Sequence, residues 1–295
     1  MRALSVFLLI AFGFSWAIAY LIHVTGGLGA QGPLGSLGLL SLMMMGPALA
    51  GLVCIFILDK GRRLAAIGLA GFGLGRIAVW TLVGWLLPIL ICALAIGATL
   101  ALSGQAPGDP TAVIAAQIAA SGEDIPMDAG TLLMIQLAVG LPVGILFNTV
   151  FLMISEELGW RGWLQPRLSG LGFWPMCGVV GVLWGIWHAP IILMGYNYPG
   201  LGWTGVAVMT LFTTLWTPYH AYLRERGGLV AAAGLHGSLN AVAGVSLLFL
   251  STPQWPWNGP LGVGGLLVLA AGLPVLAWQR QGQKKRAASE RGPLD

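Results

Sequence analysis

TLLMIQLAVGLPVGILFNTVFLMISEELGWRGW, running from Thr131 to Trp163, is the stretch whose reading decides the fold. It carries no charged residue before Glu156. A bilayer core about 30 Å thick needs roughly 20 apolar residues of helix, because in hydrocarbon a helix satisfies its own backbone amides. The stretch is therefore a membrane span, and it ends in two adjacent carboxylates, Glu156 and Glu157, with Arg161 one turn on.

Seven further stretches of similar character flank it: Ala3 to Ile22, Leu34 to Leu58, Ile77 to Leu102, Trp174 to Met194, Trp203 to Leu223, Leu229 to Leu250 and Leu261 to Trp278. The chain is 57% hydrophobic and 8% charged, against roughly 25% charged in soluble proteins. We therefore expect an all-α, polytopic membrane bundle of about eight transmembrane helices. The apolar core of the first stretch exceeds the roughly 7 to 15 residues of a signal peptide, so it is read as a retained helix. The net charge of +4 is too small for a nucleic-acid footprint. Cys54, Cys92 and Cys177 all lie in apolar runs and read as small core residues.

Assigning successive connections to alternate sides puts all 14 Lys and Arg on one side. These are Arg2; Lys60, Arg62, Arg63 and Arg76; Arg161 and Arg167; Arg224 and Arg226; and Arg280, Lys284, Lys285, Arg286 and Arg291. The other side receives Asp109, Glu123, Asp124 and Asp128, all in the loop from Ser103 to Gly130, which reads as a surface linker. The positive-inside rule then makes both termini cytoplasmic, in a multi-pass protein of a bacterial inner (plasma) membrane. The chain divides into residues 1–130, three helices and the external loop; 131–250, the chemical core; and 251–295, a final helix and a basic tail suited to anionic lipid.

An ionisable side chain in hydrocarbon costs about 2.5–3.5 kcal/mol, so each one inside a span marks function by default. Few occur. Glu157 and Arg161 stand four apart on one helix face and should pair. Glu156 is turned about 100° from Glu157 and is left free for other work. His236 and Asn240 also share a face, as do Trp184 and His188, where the indole is expected to stack on the imidazole. At about 1.5 Å per residue, Glu156 reaches the depth of His236 only if its helix continues to about Gln165. His220 reads as an interfacial packing residue. The pocket is expected to open toward the cytoplasm, from which water has the shorter path.

The strings Glu156-Glu157-x-x-x-Arg161, Trp184-x-x-x-His188 and His236-x-x-x-Asn240, in that order on three helices, resemble the CPBP family of intramembrane proteases. That family includes the eukaryotic Ras-converting CAAX endopeptidase and bacterial relatives tied to bacteriocin processing or self-immunity. Its second motif often has Phe where Trp184 stands. The resemblance implies a water activated by Glu156 and His188, an oxyanion stabilised by His236 and Asn240, and Glu157 and Arg161 positioning the base. Its substrate would be a membrane-associated or lipidated peptide. Glu156, His188 and His236 could equally ligate zinc in an open tetrahedral site; the metal-free glutamate mechanism is preferred. A transporter or proton relay, and a non-enzymatic immunity or scaffold protein on the same fold, are the competing readings.

Overall fold

A computed structural model describes residues 2–58, 67–122 and 125–289, with side chains as far as residue 282. Of the charges counted above, Lys60, Arg62, Arg63, Glu123, Asp124 and Arg291, and the side chains of Lys284, Lys285 and Arg286, lie outside the described residues. The described residues form helices joined by turns and irregular connections, with no strand beyond one isolated bridge between Pro107 and Leu250.

The helices are α1 (Arg2–Val24), α2 (Gly32–Ile57), α3 (Leu74–Ser103), α4 (Pro110–Ser121), α5 (Ala129–Arg167), α6 (Phe173–Trp187), α7 (Trp203–Ser246) and α8 (Val263–Ser289). Six of these are long and apolar enough to cross a membrane. The two missing from the expected eight have physical explanations. α6 has 15 residues, below the length of a full span. α7 merges the expected sixth and seventh spans, but Gly228 breaks it with φ 77° and ψ −165°, a conformation open to glycine. A straight helix would hold His220 and His236 about 24 Å apart, yet their ring centres are 5.5 Å apart. α7 is thus a hairpin, with arms over residues 203–227 and 229–246. The linker between α3 and α5 is also more structured than expected, since Asp109 caps α4 by accepting from the amides of Thr111 and Ala112.

Polarity is arranged inside out, as lipid solvent requires. Leu9, Leu34, Leu74, Phe147 and Trp203 are exposed, while Glu156, Glu157, Arg161, His188, His220 and His236 are buried. Small residues let the helices approach. Gly159 of α5 lies against the Pro47 carbonyl of α2, Gly237 of α7 against the Asn148–Thr149 backbone of α5, and Gly181 of α6 against Thr213 and Thr214 of α7. These contacts draw α5, α6 and both arms of α7 around one polar layer.

The two ends of the bundle differ. At one, Arg76 Nε donates to the Arg226 carbonyl, Arg280 pairs with Glu225, and Arg224 Nε reaches the Arg161 carbonyl. At the other, Gln105 Oε1 accepts from Thr252, and Tyr198 donates its hydroxyl to the Leu261 carbonyl.

Candidate active site

α5 contributes Glu156, Glu157 and Arg161 from Met153–Leu164, a segment wound with π-helical hydrogen bonds. Such local widening is uncommon and concentrates at functional sites. The helix then continues to Arg167, so Glu156 is carried to the depth that the sequence arithmetic required. α6 ends at this layer. Trp184 lies in its last turn, and His188 closes it ahead of the one-turn helix Ala189–Leu193. His236 and Asn240 come from the second arm of α7.

The Trp184 indole is the hub. Its Nε1–H donates to Glu156 Oε2 at 2.8 Å. The Arg161 guanidinium carbon sits 4.1 Å from the ring centre, a cation–π contact. The rings of His188, His220 and His236 surround it at 5.9, 5.4 and 5.0 Å. The expected stacking of Trp184 on His188 is not what forms, because the two planes are tilted by 53°. Instead, His188 Nδ1 meets the Trp184 carbonyl at 2.8 Å. A carbonyl oxygen only accepts, so Nδ1 carries the hydrogen, and in the neutral ring Nε2 is left with a lone pair.

A second set of contacts lies behind the first. Glu157 Oε1 accepts from Arg161 Nη1 at 2.8 Å and meets His236 Nδ1 at 2.9 Å, with His220 Nε2 3.9 Å away. A carboxylate likewise fixes the hydrogen on His236 Nδ1. Arg161, assigned from the sequence to the basic side and to a pair with Glu157, is wholly buried here. His220 is no interfacial residue either: it is wholly buried beside Glu157 and His236, because the hairpin at Gly228 folds the first arm onto the second. A signal for it existed, since Trp216-x-x-x-His220 repeats the spacing of Trp184-x-x-x-His188, and His220 Nδ1 likewise meets the Trp216 carbonyl.

Glu156, Trp184, His188, His236 and Asn240 all face a cavity of about 770 Å³, whereas Glu157, Arg161 and His220 do not line it. One layer thus fronts the cavity while another holds it from behind. The cavity runs from the buried layer toward Tyr196, Asn197, Gln254 and Trp255, on the connections that precede α7 and α8, and none of the arginines lines it. Helix polarity accounts for this. Glu157 and Arg161 close the layer on the arginine side, and the stretches of α2 around Leu37–Met44 and of α5 around Phe147–Phe151 leave room on the other.

Among the described residues, one group of His, Cys, Asp or Glu side chains could converge on a single ion: Glu157, His220 and His236, with ligand atoms within 4.8 Å of one another. The trio expected from the sequence, Glu156, His188 and His236, does not bring its ligand atoms within that distance of one another. The donor types of the observed trio suit zinc, and Glu157 Oε2 and His220 Nε2 have no hydrogen-bond partner in the protein. Glu157 Oε1, however, already accepts from the Arg161 guanidinium, so a divalent ion there would sit beside a buried positive charge.

This geometry can be set beside known proteins. Residues 138–242 match the family model of the Rce1-like type II CAAX prenyl endopeptidases. Over that segment the chain is similar to that family. The matched segment contains every polar residue of the buried layer and ends just beyond Asn240. It supports the CPBP/CAAX protease assignment, a CAAX-type endopeptidase activity in general, and an integral membrane protein. No curated protein matches the chain.

Proposed function

We propose that the protein is an intramembrane endopeptidase that hydrolyses a peptide bond of a membrane-associated substrate with water activated by Glu156 and His188. The observation that carries this reading is that Glu156, His188, His236 and Asn240, borne by three helices, front one buried cavity. A lone intramembrane carboxylate has many uses. One that shares a cavity with two imidazoles and an amide has the parts of a hydrolytic site.

In this reading the water lies between the Glu156 carboxylate and the lone pair of His188 Nε2. Glu156 takes a proton as the water oxygen bonds to the scissile carbonyl carbon. The carbonyl oxygen becomes an oxyanion, received by the amide N–H of Asn240 and by the Nε2–H of a doubly protonated His236, whose Nδ1–H is held by the Glu157 carboxylate. Collapse of the tetrahedral intermediate breaks the C–N bond, and Glu156 returns its proton to the departing amine. Trp184 fixes the Glu156 carboxylate through its indole N–H. Glu157 fixes the ring of His236 and is itself fixed by Arg161. The steps are written without a metal, and Arg161 supplies the buried positive charge that faces Glu157.

Glu156→Gln keeps the shape and the capacity to accept from Trp184 but cannot take a proton. Its expected effect is a fall in kcat of about 10²–10⁴-fold, the usual contribution of a general base. The assay is cleavage of a bilayer-reconstituted peptide library by purified wild type and variant, read by mass spectrometry. Equal turnover by both removes Glu156 from the mechanism. Solute uptake without cleavage would favour the transport reading.

A further inference from the structure

The arginine end of the bundle carries positive charge that the described residues do not balance. Arg76 stands in the first turn of α3, and Arg226 ends the first arm of α7, two residues before the break at Gly228. Arg76 Nε donates to the Arg226 carbonyl and Arg76 Nη2 to that of Glu225, so one guanidinium lies against the backbone that bears the other. The Arg226 guanidinium sits over the rings of Trp80 and Tyr222, 5.0 and 5.2 Å from their centres, and donates to the Tyr222 hydroxyl. Arg76 lies over Phe72 at 5.1 Å. Carbonyls and ring faces hold both cations in place without neutralising them.

Among the described residues the carboxylate at this end is that of Glu225, and Arg280 occupies it. Neither Arg76 nor Arg226 has a carboxylate partner among them, and Arg226 Nε is buried without any hydrogen-bond partner. Helix polarity adds to the imbalance. The N-terminal end of a helix is its positive end and favours anions, yet α3 places an arginine there and no side chain caps it. α3 also begins a membrane span at this point, and Trp80 and Tyr222 are residues of the kind that mark the boundary between water and lipid. Val79 and Leu86 follow Arg76 on the same side of α3, at about 100° per residue, and both are exposed. The fitting occupant has an anionic group at the boundary and hydrocarbon below it.

We propose that Arg76 and Arg226 bind one phospholipid of net negative charge, its phosphate between the two guanidiniums and its acyl chains along Val79 and Leu86. Guanidinium N–H donors pair with phosphate oxygens, so the match is geometric as well as electrostatic. A zwitterionic headgroup would bring a second cation into the cluster and is the poorer occupant. Neither arginine lines the cavity, so lipid binding and peptide cleavage can fail separately.

The test uses the purified full chain in mixed micelles with equal amounts of phosphatidylglycerol and phosphatidylethanolamine, and native mass spectrometry reads the lipid retained. Wild type is expected to retain phosphatidylglycerol with a preference of roughly 30-fold, the effect of two arginines on an anionic headgroup. The pair Arg76→Gln and Arg226→Gln is expected to abolish that preference. The pair Lys284→Gln and Lys285→Gln removes the same charge from the basic tail and is expected to keep it. Arg76→Gln alone leaves a donor for the Arg226 carbonyl, and should reduce the preference about fivefold even if the double variant folds poorly. Equal retention of the two lipids by wild type overturns the proposal, whatever the variants do. So does a full preference in Arg76→Gln, or an equal loss in the arginine and lysine pairs, which would trace the attraction to net charge alone.

Discussion

Glu157→Gln should damage this protein out of proportion to its size. The substitution is nearly isosteric but removes the negative charge that faces Arg161 Nη1 at 2.8 Å and His236 Nδ1 at 2.9 Å. Both Glu157 and Arg161 are 0% exposed, so solvent does not screen the loss. Removing one partner of a buried pair costs about 3–5 kcal/mol, because the other charge stays behind uncompensated. Arg161→Met should also destabilise, by stranding the carboxylate and losing the contact over Trp184, itself worth about 0.5–2 kcal/mol. The double variant removes both charges. It should therefore be less destabilised than the two singles summed, by up to the roughly 3 kcal/mol seen for coupled neighbours. SDS-titrated unfolding in mixed micelles, followed by tryptophan fluorescence, gives all three values. A Glu157→Gln protein within about 0.5 kcal/mol of wild type, the range of an ordinary surface change, would refute the buried-pair reasoning. So would strict additivity of the two singles.

Other consequences can be checked with less effort. Asn240→Ala should lower kcat by about 10²–10³-fold, the cost of one oxyanion donor, and leave unfolding unchanged, since the side chain is exposed to the cavity. Gly237→Ala would drive a methyl into the Asn148–Thr149 backbone of α5, so an overpacking cost of about 1–3 kcal/mol is expected in the same unfolding assay. At the start of α5, outside the span, the Thr131 hydroxyl and amide hold the Asp128 carboxyl below its ordinary value. A depressed carboxyl stabilises its helix end above the unfolded pKa and loses that contribution as pH falls through the folded one. The hydrogen-exchange protection of residues 129–133, relative to the intrinsic rate at each pH, should therefore be unchanged from neutral to mildly acidic pH and fall only below the ordinary carboxylate range.

Composition and pattern alone determined that this chain is an all-helical membrane bundle, because spans are encoded locally by unbroken apolar length. They also picked out Glu156, His188, His236 and Asn240, since an ionisable or amide group inside such a span is conspicuous without any neighbour. Helical spacing further identified the Glu157–Arg161 pair, a contact within one turn. What the tertiary structure alone decided is everything that depends on a partner from another element. Whether Glu156 meets Trp184, whether Glu157 holds His236, and whether His220 is interfacial or central all follow from how α5, α6 and the α7 hairpin pack. Gly228 is the example: a glycine between two apolar runs reads as an ordinary loop, yet its backbone folds one arm onto the other and buries His220. The direction of the cavity belongs to the same class, since charge distribution along the chain marks the ends of the bundle, and only packed helices show at which end a gap is left.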